Sequence, residues 1–88
     1  MDKLKAMQTV VSIADEGSLT AAAAALGSSP PVVVRTLAAL EAHLGVRLFN
    51  RTTRRISLTE EGQHYIESSR RLLAAIENTE SARRCLHR

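Results

Sequence analysis

Arginines supply most of the chemistry that this sequence offers, and they are concentrated in one stretch. Residues 29–58 contain five arginines and a single acidic residue, Glu41, so this stretch has a net charge of +4, whereas the segments before and after it carry −1 and 0. Guanidinium groups form bidentate hydrogen bonds to phosphate, so a basic block of this kind is typical of a surface that binds a polyanion. A solvated basic surface is the alternative reading of the charge alone.

Signals for other chemistry are weak. Cys85 and His87 offer two metal ligands, but a zinc site needs three or four, and His43 and His64 are distant in sequence. We find no nucleophile and base at a recognised spacing, no glycine-rich phosphate loop and no paired carboxylates. The sequence therefore predicts a protein that is not an enzyme and that uses neither a metal nor a cofactor.

The length and composition predict one small helical domain. The chain has 88 residues and a mass of 9.6 kDa, and its aromatic residues are Phe49 and Tyr65, so its core must be built from aliphatic side chains. A single cysteine cannot form a disulfide within the chain. The longest mostly apolar run, residues 19–26, is too short to span a bilayer. We expect a cytoplasmic protein that does not contact a membrane.

Helix start and stop signals divide the first 28 residues into two helices. Asp2 is a suitable N-cap for the first helix, and Gly17 is its expected end. Ser18 can cap a second helix that ends at Gly27. The alanines of this second helix permit close approach to a neighbouring helix.

A third helix is predicted to start after Ser29, with Pro30 and Pro31 in its first turn, and to run to about His43. A buried strand or all-round buried helix at residues 32–34 is the alternative. One face of the third helix is apolar and comprises Val33, Leu37, Leu40 and Leu44. The opposite face carries one long cation, Arg35, among small or apolar neighbours that include Pro31, Ala38 and Ala42. We therefore expect this outer face to contact a partner.

Alternating residues from Val46 to Leu58 predict a two-stranded hairpin with a cationic tip. Thr59 is the expected N-cap of a fourth helix that runs to the mid-eighties, with Gly62 as a weak point in its first turn. An apolar stripe runs along this helix and comprises Tyr65, Ser69, Leu72, Leu73 and Ile76. The stripe extends past the reach of the first three helices, so we expect a second copy of the chain to cover it. Folding back onto the chain's own core and fraying at the end are the alternatives.

Two helices joined by a glycine-containing turn and followed by a basic hairpin form a winged helix-turn-helix. Several segments carry a more specific signal: Ser18-Leu-Thr-Ala-Ala-Ala, Ser29-Pro-Pro-Val-Val-Val-Arg35, Leu40-Glu41, Leu44-Gly-Val-Arg-Leu-Phe-Asn-Arg51, Thr52-Thr-Arg-Arg-Ile-Ser-Leu-Thr59 and Glu61-Gly62. In this order and spacing, they resemble the N-terminal DNA-binding domain of LysR-type transcriptional regulators over about residues 1–85.

This resemblance implies a mainly α fold, with a three-helix core, a two-stranded wing and a long dimerisation and linker helix. Residues 1–59 would form the winged helix-turn-helix domain, with the helix-turn-helix at about 19–38 and the wing at about 46–58. Residues 60–88 would form the linker helix, and the effector-binding domain of the family is absent from this sequence. A small-molecule inducer would therefore act only through that missing domain.

The implied function is sequence-specific binding of double-stranded DNA by a dimeric bacterial transcription factor. Its operator would be an interrupted palindrome, a full-length protein could assemble into a tetramer, and the protein would be associated with the nucleoid. The third helix would enter the major groove, and the wing would reach the backbone or minor groove. The expected DNA-binding residues are Ser29, Pro30, Pro31, Val34, Arg35, Arg51, Thr53, Arg54 and Arg55. The expected dimer interface comprises Tyr65, Ser69, Leu72, Leu73 and Ile76.

Some details of these contacts stay open. Arg35 can reach a guanine edge or a phosphate, and Arg51 can reach DNA or brace the hairpin. The family often has Ser or Thr where this chain has Val34, and usually an apolar residue where it has Ser28. The first difference removes a hydroxyl contact, and the second weakens the anchor of the turn. A helical protein-interaction module without DNA binding is the competing function.

Overall fold

A computed structural model describes the backbone of residues 2–51 and 56–86 and the side chains of residues 2–50 and 56–79. Within these residues, four helices and one two-stranded antiparallel sheet follow one another along the chain. They are α1 (Lys3–Glu16), α2 (Leu19–Leu26), α3 (Pro30–Leu44), β1 (Phe49–Arg51), β2 (Ile56–Leu58) and α4 (Glu60–Leu86). We call residues 2–59, which precede α4, the head. The predicted mainly α winged helix-turn-helix is confirmed.

The helix ends lie at the residues that the sequence predicts. The Asp2 carboxylate accepts a hydrogen bond from the Lys5 amide at 3.1 Å, and the Ser18 hydroxyl accepts one from the Ala21 amide at 3.0 Å. Gly27 ends α2 at φ +66°, in the left-handed region that favours glycine. The chain changes direction by 103° between α2 and α3, as is usual for a helix-turn-helix.

The start of α3 differs in one detail from its prediction. Ser29 is the N-cap and both prolines lie in the first turn, but the Ser29 side chain makes no capping hydrogen bond. Instead, its carbonyl oxygen accepts hydrogen bonds from the amides of Val32 and Val33, each at 3.1 Å. Residues 32–34 are helical, so the alternative of a strand here is wrong.

A single apolar core joins the helices to the sheet. The fully buried apolar residues are Ala6, Val10, Ile13, Ala22, Ala23, Val33, Leu37, Leu40, Leu48, Phe49 and Ile66. Three of the four residues predicted for the buried face of α3 belong to this core. The fourth, Leu44, is 37% exposed, so its predicted burial is wrong. It occupies the last turn of α3, where the helix projects past the residues that cover Leu37 and Leu40.

The hairpin is short, and the Glu41 side chain of α3 holds the start of its first strand. Phe49 pairs with Leu58, and Arg51 pairs with Ile56. The Glu41 carboxylate on α3 accepts hydrogen bonds from the amides of Leu48 at 2.7 Å and Phe49 at 3.4 Å. These contacts fix the entry of the chain into β1.

Thr59 and Gly62 connect the hairpin to α4. The Thr59 hydroxyl donates to the Arg47 carbonyl at 2.6 Å and accepts from the Gly62 amide at 2.9 Å, so its predicted role as N-cap is confirmed. A Cβ atom at Gly62 would lie 2.0 Å from the Leu48 carbonyl oxygen. Gly62 is thus the residue that lets α4 approach the backbone at Leu48, a role that its interpretation as a weak point of the helix did not include.

No described helix is long and apolar enough by itself to cross a bilayer, although α2 and α3 together meet the length and composition of a broken span. Both helices contribute residues to the core, among them Ala22, Ala23, Leu37 and Leu40.

Candidate nucleic-acid interface

The outer face of α3 is an exposed helical surface of the helix-turn-helix. Pro30, Pro31, Arg35 and Ala38 are exposed, and Val34 is half-buried beside them. The buried residues Val33, Leu37 and Leu40 lie on the opposite face of the helix. Short side chains surround Arg35, so a groove of a nucleic acid can approach the α3 backbone closely. The Arg35 guanidinium group then projects from α3 into that groove.

The turn before α3 presents few backbone donors. Pro30 and Pro31 have no N–H group, and the amides of Val32 and Val33 are engaged by the Ser29 carbonyl. Ser29 itself is exposed, and its hydroxyl is not used for capping. This corner therefore offers two proline rings and one hydroxyl group to a partner.

The fold places Lys5 beside the outer face of α3, a position that sequence reasoning missed. A shallow depression beside the outer face of α3 is lined by Asp2, Lys5, Arg35, Thr36 and Ala39. An adjoining groove is lined by Lys5 and Gln8 of α1 together with Gly27 and Ser28 of the turn. The signal that could have suggested Lys5 is that Lys3 and Lys5 are the only basic residues before Arg35. Their position beside α3, however, depends on how α1 packs.

The predicted wing contacts are only partly within the described residues. Arg51 lies at the end of β1, opposite Ile56, but its side chain is outside the described part. Thr53, Arg54 and Arg55 also lie outside the described residues. What the structure describes is the base of the wing, which Glu41 ties to α3 and Thr59 ties to α4.

The predicted stripe of α4 divides into two parts. Ser69 is 1% exposed, and Tyr65 packs against the core, so these two residues are covered within one chain. Leu72 is 46% exposed, whereas Leu73 and Ile76 are half-buried. Sequence reasoning missed Ile66, which is 4% exposed and belongs to the core. Its aliphatic side chain three residues before Ser69 was the available signal.

Two titratable groups on α4 are perturbed by their contacts. Burial raises the pKa of the Tyr65 hydroxyl, with a smaller opposing effect of Ser69. A hydrogen bond to the Asp15 carboxylate raises the pKa of the Arg70 guanidinium. Neither group faces the outer surface of α3. Among the described residues, no group of three or more His, Cys, Asp or Glu side chains could hold a metal ion.

Comparison with known proteins identifies the family. The family described as "Bacterial regulatory helix-turn-helix protein, lysR family" matches residues 4–63. An HTH-type transcriptional repressor of Pseudomonas aeruginosa is 49% identical over 84 residues, which are 96% of this chain and 26% of the relative. The HTH-type transcriptional activator AaeR of Escherichia coli is 40% identical over 78 residues, which are 89% of this chain and 25% of that protein. The chain thus spans about a quarter of the length of these relatives.

DNA-binding domains in solved structures of DNA complexes have the same fold as this chain. The chain in the complex of the CbnR DNA-binding domain with DNA superimposes with a TM-score of 0.88 at 34% identity, over 100% of both chains. The BenM DNA-binding domain in complex with catB site 1 DNA gives a TM-score of 0.91 at 28% identity, over 98% of this chain and 96% of that one. This chain belongs to the lysR family of bacterial regulatory helix-turn-helix proteins, which are transcriptional regulators and not enzymes, and it contains the DNA-binding domain of that family.

Proposed function

We propose that the chain binds an interrupted palindromic operator as a homodimer, with one α3 in the major groove at each half-site. The observation that carries this proposal is the outer face of α3, where the exposed Arg35 projects from a surface of small side chains. The major groove is about 12 Å wide and admits one α-helix. A helix lined with short residues can lie deep enough for a single long cation to reach the bases.

Arg35 is proposed to contact a guanine edge or a phosphate. Replacing it with alanine should weaken binding to an operator selected from random DNA by about 1–3 kcal/mol if it reads a base. Arg71→Ala is a matched control because Arg71 is an exposed arginine on α4, away from α3. Fluorescence anisotropy with labelled duplexes measures both. An unchanged affinity of the Arg35 variant would contradict the assignment.

The two kinds of Arg35 contact can be separated by their sequence dependence. A base contact predicts that Arg35→Ala loses preference at one operator position but binds random DNA as the parent does. A phosphate contact predicts an equal loss on both duplexes and a salt slope that falls by about one unit.

Ser29, Pro30, Pro31 and Val34 are proposed to lie against sugars and base edges at the start of α3. Val34 carries two methyl groups, which suit contact with the methyl group of thymine. Val34→Ser should therefore change the base preferred at one operator position while leaving binding to random DNA nearly unchanged. Selection of bound sequences with both proteins tests this, and identical preferences would exclude the contact.

The wing is proposed to supply sequence-independent affinity through Arg51, Thr53, Arg54 and Arg55. Arg54→Ala should weaken binding to operator and random duplexes alike and lower the salt slope by about one unit. A loss restricted to one base position would contradict a phosphate contact. Arg51 has the alternative of bracing the hairpin, in which case Arg51→Ala would lower the melting temperature as well as the affinity.

The homodimer is proposed to form through α4. This helix has 27 residues and is therefore about 40 Å long. Beyond Ser69 it carries Leu72, Leu73 and Ile76, and Leu72 is 46% exposed. An apolar stripe of this kind is stabilised by a second copy of the same helix. Tyr65 and Ser69, which the head covers, would border this interface.

Sedimentation at tens of micromolar tests the dimer. The parent should sediment as a dimer, whereas Leu72→Asp with Ile76→Asp should be a monomer with weaker operator binding. Ala74→Asp with Asn78→Asp is the matched control, because it adds the same charge at two exposed positions, also four residues apart, on the side of α4 opposite the stripe. A monomeric parent would refute the proposal.

The domain organisation and cellular role follow from the family. We propose that residues 1–59 bind DNA, that residues 60–88 form the linker, and that a full-length regulator adds an effector-binding domain through which a small-molecule inducer acts. Such a regulator would be cytoplasmic, would associate with the nucleoid and could form tetramers. A repressor and an activator are both among the similar proteins, so the direction of regulation requires a reporter assay.

A further inference from the structure

A single described polar side-chain contact joins α4 to α1. Arg70 of α4 binds both carboxylate oxygens of Asp15, with 3.3 Å between Nη1 and Oδ2 and a short contact between Nη2 and Oδ1. The two residues are 55 positions apart in the sequence. A bidentate contact of this kind constrains the relative orientation of the two helices as well as the distance between them. The apolar packing of Ile66 beside it is not directional.

The pair lies where α4 leaves the head. Ser69, one residue earlier, is buried, whereas Leu72, two residues later, is 46% exposed. The Asp15–Arg70 pair is therefore the described polar contact between α4 and the head that lies nearest to the proposed dimer-forming part.

The location of Asp15 is locally unfavourable. Asp15 and Glu16 lie in the last turn of α1, which contains no basic residue, and carboxylates at this end oppose the helix dipole. Both side chains of the Asp15–Arg70 pair are 48% exposed, so the pair contributes little to stability. A residue type that is unfavourable at its place in a helix, and that is not compensated by a stabilising contact, is typical of a functional position.

We propose that Asp15 and Arg70 are a positioning pair that fixes the direction of α4 relative to the head and thereby sets the half-site spacing that the dimer accepts. This inference rests on the dimeric binding proposed above. The smallest extent of the molecule is 22 Å, so a rotation of about 10° at Arg70 moves the far side of the head by about 4 Å, slightly more than a base-pair rise of about 3.4 Å. A small change in orientation at this contact therefore displaces the head by about the distance that one added base pair puts between the two half-sites.

The test is a spacing profile measured at low salt, where exposed ion pairs are least screened. The affinity of the full chain is measured for duplexes in which the two selected half-sites are moved by one or two base pairs from the optimum. The parent should lose about tenfold or more per added base pair, because each base pair also rotates the half-site by about 36°. Asp15→Asn and Arg70→Gln should flatten the profile to less than about threefold, with nearly unchanged thermal unfolding.

Two comparisons separate positioning from loss of charge. Glu16→Gln and Arg71→Gln remove the same charges from adjacent exposed residues and should keep the parent's profile. Asp15→Arg combined with Arg70→Asp restores an ion pair with reversed polarity and should recover most of the spacing preference.

The outcomes distinguish this inference from the proposed function. A monomeric parent, or a parent without spacing preference, would refute the proposed dimeric binding and this inference with it. A dimeric parent with a sharp preference, together with Asp15→Asn and Arg70→Gln variants that keep the same profile, would overturn only the positioning role.

Discussion

The helices α3 and α4 are both amphipathic, but the chain covers their apolar faces to different extents. In α3, Val33, Leu37 and Leu40 are at most 1% exposed, and the face that remains carries Arg35. In α4, Ser69 is buried, but Leu72 beyond it remains 46% exposed. The surface left free on α3 is thus suited to a charged partner, whereas the surface left free on α4 is suited to another apolar helix.

Truncating one leucine in each helix tests this comparison most strongly. Leu37→Ala should lower the free energy of unfolding by about 3 kcal/mol because it leaves a cavity in a fully buried site, which is a large share of the stability of a small domain. Leu72→Ala should cost less than about 1 kcal/mol at low protein concentration. Urea denaturation followed by circular dichroism measures both.

Protein concentration distinguishes the two leucine variants further. If Leu72 lies in a dimer interface, the deficit of its alanine variant should grow with protein concentration, because assembly stabilises the folded parent by mass action. The deficit of Leu37→Ala should be large at every concentration. Equal deficits in the two variants would contradict the different burial of the two faces.

The first turn of α4 should be as sensitive to substitution as the core. Gly62→Ala would place a Cβ atom 2.0 Å from the Leu48 carbonyl oxygen, and backbone atoms cannot move aside cheaply. We expect a loss of about 1–3 kcal/mol, although alanine favours a helix over glycine by about 1 kcal/mol. Gln63→Ala, at the neighbouring exposed residue, serves as the control. A stabilised Gly62→Ala variant in thermal unfolding would show that the close approach is absent.

Substitution of Glu41 should lower the free energy of unfolding by less than Leu37→Ala does. Glu41 links α3 to the wing through hydrogen bonds from two backbone amides, and its loss leaves no large cavity in the core. Glu41→Ala should cost about 1–2 kcal/mol, since it leaves the Leu48 amide without its acceptor. Glu41→Gln keeps a side-chain oxygen at this position and should lose about half as much. Thermal unfolding of the three proteins tests this order, and equal melting temperatures would argue against the link.

The smallest expected effect is a gain in stability at Ser69. Its hydroxyl oxygen is buried beside Tyr65 and makes no hydrogen bond of good geometry among the described residues, and such a group costs free energy. Ser69→Ala should raise the free energy of unfolding by up to about 1 kcal/mol, helped by the higher helix propensity of alanine. Ser68→Ala, at an exposed site on the same helix, isolates the propensity effect. A destabilised Ser69 variant would show that the hydroxyl has a partner.

Local signals predicted the head well. The caps at Asp2 and Ser18, the helix end at Gly27 and the proline start of α3 each depend on a few neighbouring residues, so they can be recognised in the sequence. Leu44 was predicted wrongly because helical periodicity describes which face a residue occupies but not where the covering elements end.

Contacts between distant segments could not be predicted in the same way. The approach of Gly62 to Leu48, the hydrogen bonds from Leu48 and Phe49 to Glu41 and the Asp15–Arg70 pair all depend on how helices and strands pack. Lys5 lies beside the outer face of α3 for the same reason. Which residues of α3 are exposed was predictable because the orientation of one helix follows from its own apolar stripe.

The proline start of α3 also bears on how operator preference can evolve. With two prolines and two internally bonded amides, the first turn of α3 has few free backbone donors with which to hold a phosphate. In the proposed mode of binding, most affinity for the sugar-phosphate backbone then comes from side chains elsewhere, so Val34 and other residues of the outer face can be exchanged without weakening a shared main-chain anchor. Related regulators could in this way acquire new target sequences by substituting a few residues on an unchanged scaffold.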